Sequence, residues 1–313
     1  VSSGAVGAAR AVVPIKGSWS KVVQRQVLSS IGQVRLMQWY LQLFANHELF
    51  CAQVLATKED FRDRQHYVNM QNCLLALLKD KVVPIVNEND VVAVSELMFT
   101  DNDELAGLIA AMMNANVLVI LSTVDGVFDG DPTLSTSKLI KSIHPDDENI
   151  KQVVLPSKSS FGRGGMHTKL RIAQKAATVG VKTIIANGKR KNILLDILNN
   201  NYVGTTFQPK TPVSNVKKWI AYAKESDYQG IVIINEGAAK ALRSKEQVTS
   251  LLPIGITTIK GDFEKGDILR IELPTGALVG IGIAQYDAST ARHYLGKQGK
   301  KPLVHYDYLY VEE

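Results

Sequence analysis

The stretch richest in potential chemistry is Gly162-Arg163-Gly164-Gly165-Met166-His167-Thr168-Lys169. Glycines free the backbone to wrap phosphate oxygens, and the run leads into a helical pattern with apolar positions at Leu170, Ala173 and Ala176 or Ala177. A helix N-terminus favours an anion, and Lys169 in the first turn adds a positive charge. The spacing is not that of a Walker A loop, which needs Gly-Lys-Ser/Thr, nor of a dinucleotide fingerprint. A single Arg-Gly-Gly is a weak RNA signal, and His167 fits a loop or capping position better than a base.

A second set is polar and acidic. Asn87-Glu88-Asn89-Asp90 directly follows the apolar run Val82 to Val86, and Asp101-Asn102-Asp103-Glu104 opens a helix. Amides and carboxylates at strand ends can grip an amino group and a carboxylate. Capping and the helix dipole account by themselves for Asp101 and Glu104, but less well for Asn102 and Asp103. Ser2-Ser3-Gly4-Ala5-Val6-Gly7-Ala8-Ala9-Arg10 offers small residues whose open N–H groups suit an anion or a substrate backbone. A helix start that needs small residues for packing explains that run equally well. Ser122-Thr123 follows another apolar strand and would turn its hydroxyls toward the same crevice, whereas Asp125 to Pro132 reads mainly as turn.

These loops need a scaffold. Val54-Leu55 precedes a helix at about 59–80, then Val82 to Val86, a helix from about Asp103 to Asn114, Val117 to Leu121, a helix from about His167 to Val179, Thr183 to Ala186 and a short helix near 192–199. Such alternation predicts an α/β fold: an open, mainly parallel twisted sheet with helices on both faces, its ligands at the C-terminal ends of the strands. From Pro209 the composition turns to linker chemistry, Pro-Lys-Thr-Pro-Val-Ser-Asn, and then to short strands around 231–234 and 266–271 with a helix over about 236–245. The expected division is 1–208, a linker over 209–225, and a small mixed β barrel over 226–313.

The 313 residues fit two domains, with 45% apolar and 21% charged residues, ordinary for a soluble protein. No apolar run approaches the ~20 residues of a membrane span. Cys51 and Cys73 have neither CxxC spacing nor a histidine at ligand spacing, which disfavours a disulfide framework or a zinc site and fits idle thiols in a reducing cytoplasm. Net charge is +6, and nearly all of the excess lies in the first 212 residues, as expected if it serves an anionic ligand there. The chain begins Val-Ser-Ser-Gly-Ala, the end of a strand running into a loop, so the start of the protein is expected upstream of Val1.

Taken in order and spacing, Val-Ser-Ser-Gly-Ala (1–5), Pro-Ile-Val-Asn-Glu-Asn-Asp (84–90), Asp-Asn-Asp (101–103), Gly-Gly-Met-His-Thr-Lys (164–169), Val-Gly-Thr (203–205) and Ser-Leu-Leu-Pro-Ile-Gly-Ile (250–256) resemble the glutamate 5-kinases of the amino acid kinase family, along essentially the whole chain. The resemblance implies an αβα sandwich followed by a PUA barrel. It also implies ATP-dependent phosphorylation of the side-chain carboxylate of L-glutamate, the first step of proline biosynthesis. Ser3, Asp90 and Asn102 would hold glutamate, and Asp103 would position the catalytic Lys169. Ser122 and Thr123 would contact the nucleotide, where relatives often carry Thr-Asp. Arg163, Gly164, Gly165, Met166, His167, Thr168 and Lys169 would surround the ATP phosphates. Mg²⁺ is expected on those phosphates and no metal on the protein itself. The family's opening strand ends in Lys-x-Gly-Ser/Thr, which lies outside this sequence, and without it the chain is expected to carry half of the phosphate site and to lack a central strand. The resemblance further implies a cytoplasmic homo-oligomer, dimer or tetramer, with proline as candidate feedback inhibitor. RNA is not expected as a partner, because the C-terminal part is almost neutral and nonspecific affinity scales with phosphates neutralised. The alternative is a PUA-type RNA-binding or regulatory protein with a degenerate kinase domain.

Overall fold

A computed structural model describes residues 1–14, 19–93, 102–144, 147, 165–210, 215–223, 225–244 and 249–312. Its contacts divide the chain into two units, Val1–Pro212 and Val213–Glu313.

In the first unit a short helix α1 (Ala5–Arg10) is followed by the long α2 (Lys21–Ala45). The order continues β1 (Phe50–Ala56), α3 (Glu59–Arg62), α4 (Arg64–Lys79), β2 (Val82–Glu88), α5 (Asn102–Met112), β3 (Val117–Ser122), β4 (Ser142–Ile143), α6 (Met166–Thr178), β5 (Lys182–Asn187), α7 (Ile193–Leu198) and β6 (Gly204–Phe207). Side chains set several of the starts. Ser20 caps α2 by accepting from the Val23 N–H, and Asp63 caps α4 by accepting from the His66 N–H. The expected α/β class is the one observed. Strands β1 and β2 pair in parallel from Phe50↔Val82 to Ala56↔Glu88, and β3 pairs in parallel with β5 from Val117↔Lys182 to Ser122↔Asn187. The second sheet is mixed, in the order β3-β5-β6-β4, because β6 returns antiparallel beside β5. Helices α5 and α6 pack together over these strands, and Leu105, Met112, Leu170, Ala173, Ala176 and Ala177 lie buried with Ile184 and Ile185 of β5. Each large aliphatic side chain buried there contributes about 1.5–3 kcal/mol.

Sequence periodicity did not single out α2. Its inner face mixes polar with apolar residues, so the apolar stripe is interrupted. Where α1 crosses it, Gly32 is required: a Cβ there would stand 1.7 Å from the Ala5 carbonyl oxygen.

The second unit holds α8 (Asn215–Ala221), β7 (Gly230–Ile234), α9 (Glu236–Arg243), β8 (Ile256–Gly261), β9 (Ile268–Glu272), β10 (Leu278–Ala284), α10 (Ala288–Tyr294) and β11 (Val304–Val311). Its sheet runs β11-β10-β9-β7-β8, with β7 and β9 parallel and the other pairs antiparallel. A bridge between Leu251, just ahead of β8, and Val304 brings the two edges toward barrel closure. Val232, Ile234, Leu269, Ile271, Val279 and Leu303 fill the interior. Helix α8 lies within the segment 209–225 expected as a linker. Trp219, Ile220, Ala221 and Tyr222 are buried, and the helix packs on β10 and β11, so apolar burial overrides the local linker composition.

Among the described residues no helix is long and apolar enough to cross a membrane. Cys51 and Cys73 are free thiols, the latter exposed.

Candidate active site

Three chain segments far apart in sequence meet at the C-terminal end of β2. The Ser2 N–H donates to the Val86 carbonyl at 2.8 Å, which ties the chain start to this strand, and the Ser2 hydroxyl lies 3.0 Å from the Tyr40 hydroxyl of α2. Gly4 then takes φ 98° to turn into α1, leaving Ser3 exposed on the turn. The amide of Asn102, first residue of α5, donates to the Ser2 carbonyl at 2.5 Å and to Asn87 Oδ1 at 3.0 Å. Beyond β2 the Asn89 N–H donates to the Ala56 carbonyl at 2.9 Å, so the turn carrying Asp90 is fixed to the end of β1. Asp90 is buried and both its oxygens are engaged: Arg25 Nε donates to Oδ1 at 2.6 Å and the Ser29 hydroxyl to Oδ2 at 2.9 Å. The same guanidinium reaches the buried Glu88 through Nη2 at 2.9 Å.

The next residue of α5 faces a different partner. Asp103 Oδ2 and Lys169 Nζ are 2.5 Å apart, each side chain 17% exposed. Lys169 is in the first turn of α6, where its N–H and that of Thr168 bond back to the Gly165 carbonyl. Gly165 offers no side-chain cap, Met166 is half-buried and His167 exposed. Arg163 and Gly164 lie outside the described residues, as does Asp101.

Residues 4–187 match the amino acid kinase family and residues 230–306 match the PUA domain. This chain belongs to the amino acid kinase family. The "Glutamate 5-kinase" of Bacteroides thetaiotaomicron is 50% identical across 100% of this chain and 87% of its own length. That of Chlorobaculum tepidum is 48% identical across 99% and 85%, and that of Dictyoglomus thermophilum 41% across 95% and 79%.

In this amino acid kinase the remaining predicted contacts sit at the ends of the paired strands β3 and β5. Ser122 is half-buried and opposite Asn187, its carbonyl accepting from the Gly188 N–H at 2.9 Å, and Thr123 is exposed. Asp125, expected as a turn residue, is also one half of a charged clamp. Arg190 donates to both its oxygens at 2.7 and 2.6 Å, and Asn187 adds a bond at 3.1 Å. The bonded guanidinium is the main force holding the Asp125 carboxyl below its ordinary value, with Asn187 assisting against partial burial.

The structure places Asn102 against Ser2 and Asp103 against Lys169, and it adds Arg25, Ser29, Tyr40 and Arg190, which sequence reasoning did not single out. The available signal was spacing: positions 25, 29, 33 and 40 fall on one face of a helix. Among the described residues no group of three or more His, Cys, Asp and Glu gathers around a point where a metal could bind. An uncapped helix start with Lys169 in its first turn fits a phosphate group instead.

Proposed function

We propose that this chain is a glutamate 5-kinase, transferring the γ-phosphoryl group of ATP to the side-chain carboxylate of L-glutamate to give L-glutamyl 5-phosphate and ADP, the opening step of proline biosynthesis. Full-length likeness to relatives of that name supports the reaction. The adjacency of Asn102 and Asp103 carries the assignment of roles. Consecutive residues at the start of α5 face the acceptor-side loops and the cationic side chain of α6, respectively.

A glutamate side chain has a pKa near ~4.3, so the attacking carboxylate is ionised at neutral pH and requires no base. The difficulty is to hold it against a triphosphate of the same sign. Ser3, Asp90 and Asn102 would bind glutamate, with the Asp90 carboxylate facing its amino group. Lys169 and the backbone N–H groups at the start of α6 would stabilise charge on the phosphoryl oxygens, with Arg163 and Gly164 continuing that loop and Ser122 and Thr123 on the nucleotide side. Asp103 keeps the Lys169 ammonium in place and takes no proton. Mg²⁺ carried by the ATP phosphates would neutralise part of their charge. The proposal extends to a cytoplasmic homo-oligomer, dimer or tetramer, inhibited by proline.

Trapping the acyl phosphate with hydroxylamine tests the reaction. Glutamate and ATP should yield the hydroxamate with matching ADP release, while aspartate and N-acetylglutamate should yield little. Faster turnover with either alternative acceptor would overturn the substrate assignment.

A further inference from the structure

One face of α2 makes three contacts to the acceptor-side segments and one to the middle of β1. Arg25 bonds Glu88 and Asp90, Ser29 bonds Asp90, Gln33 accepts from Gln53 of β1 at 3.2 Å, and Tyr40 meets Ser2. Gln26 adds a fifth contact, donating to the Val91 carbonyl at 2.7 Å. The turn after β2 is therefore held by three α2 side chains, Arg25, Gln26 and Ser29, in addition to its own backbone.

We propose that Arg25 is a positioning residue for the acceptor, acting through Asp90 to set the affinity for glutamate. An aspartate in a turn has rotamer freedom that a strand residue buried in a sheet lacks. Here the freedom is removed from both sides, Oδ1 by the guanidinium and Oδ2 by the Ser29 hydroxyl, which fixes the plane of the carboxylate. A charged group so oriented meets an incoming ammonium without first reorganising. The guanidinium is in addition shared with Glu88, buried beside it, so the fork locks the spacing between the last residue of β2 and the turn. Lysine could supply the charge at this position but not the two directed bonds.

The inference rests on the proposed glutamate kinase activity. Its test is a comparison of wild type, Arg25→Lys, Arg25→Ala and Ser29→Ala, with KM measured separately for glutamate and ATP and with Tm for each protein. Arg25→Ala should raise KM for glutamate roughly tenfold or more while KM for ATP stays within about twofold. Arg25→Lys should fall between it and wild type, and Ser29→Ala should show a smaller shift of the same kind. If Arg25→Ala does not fold, the lysine and Ser29 variants decide by the same split. An unchanged or lower KM for glutamate in the folded variants, or an equal rise for ATP, overturns the positioning role. Wild-type protein that forms no glutamyl hydroxamate overturns the activity itself, and the inference with it.

Discussion

Lys169 Nζ and Asp103 Oδ2 lie 2.5 Å apart although 66 positions separate them in the chain. The pair exists because α5 and α6 pack side by side, each presenting its first turn at the same end. A lysine held this way keeps its charge aimed at one place, the property a phosphoryl-transfer site requires.

Removing that charge should be costly. Lys169→Ala is expected to lower kcat by roughly 10²–10³, and Asp103→Asn by less, since the ammonium persists but loses its partner. His167→Ala should leave kcat nearly unchanged, as the ring is exposed and the mechanism needs no base. A large loss in the histidine variant, read by steady-state hydroxamate formation, would remove the base-free mechanism.

Asn102 joins the chain start to β2 through a single amide nitrogen. Asn102→Asp replaces that donor with oxygens facing the Ser2 carbonyl and Asn87 Oδ1, all acceptors. Losing such a bond costs roughly 1–3 kcal/mol, which corresponds to about five- to 150-fold in affinity. Glutamate titrations should show the weakening, and nucleotide titrations should not.

Gly32→Ala tests the crossing of α1 and α2. The added methyl would collide with the Ala5 carbonyl, backbone that cannot swing aside as a side chain would. Overpacking of this kind costs about 1–3 kcal/mol or more. A lowered denaturation midpoint should accompany weakened glutamate binding, because α1 leads directly from the Ser2–Gly4 loop.

Acid stability in the second unit should depend on Asp287, which caps α10. Bonds from the Ser289 hydroxyl and the Thr290 N–H bring its pKa down from 3.8 to about 2. With the folded value below the unfolded one, the ionised cap stabilises fully above 3.8 and this contribution is lost as pH falls toward about 2. Asp287→Asn keeps a capping oxygen but cannot titrate. The stability difference between wild type and variant should be flat near neutral pH and shrink steadily across that acid window in denaturant melts. A difference independent of pH would rule out the ionised cap.

The alternation of strands and helices, the change of character after Pro209 and the segments that carry the chemistry were legible from residue order. Each is a local property: runs of apolar β-branched residues, turn chemistry, or glycines ahead of a helix. Asn102, Asp103 and Lys169 could be singled out because they sit at helix starts, where residue type and position are coupled. Local patterns do not say which of these residues share a partner; the resemblance implied only the pairing of Asp103 with Lys169, and tertiary packing makes the contacts. It sent Asn102 to Ser2 and Asp103 to Lys169, one peptide bond apart, because consecutive residues in a helix point in directions about 100° apart. It also brought Arg25 and Ser29 to Asp90 and Arg190 to Asp125. Those contacts come from helix crossings and strand ends: spacing can put Arg25 and Ser29 on one helix face but cannot name their distant partners, and α8 escaped notice for a related reason, its burial being set by strands encoded far downstream.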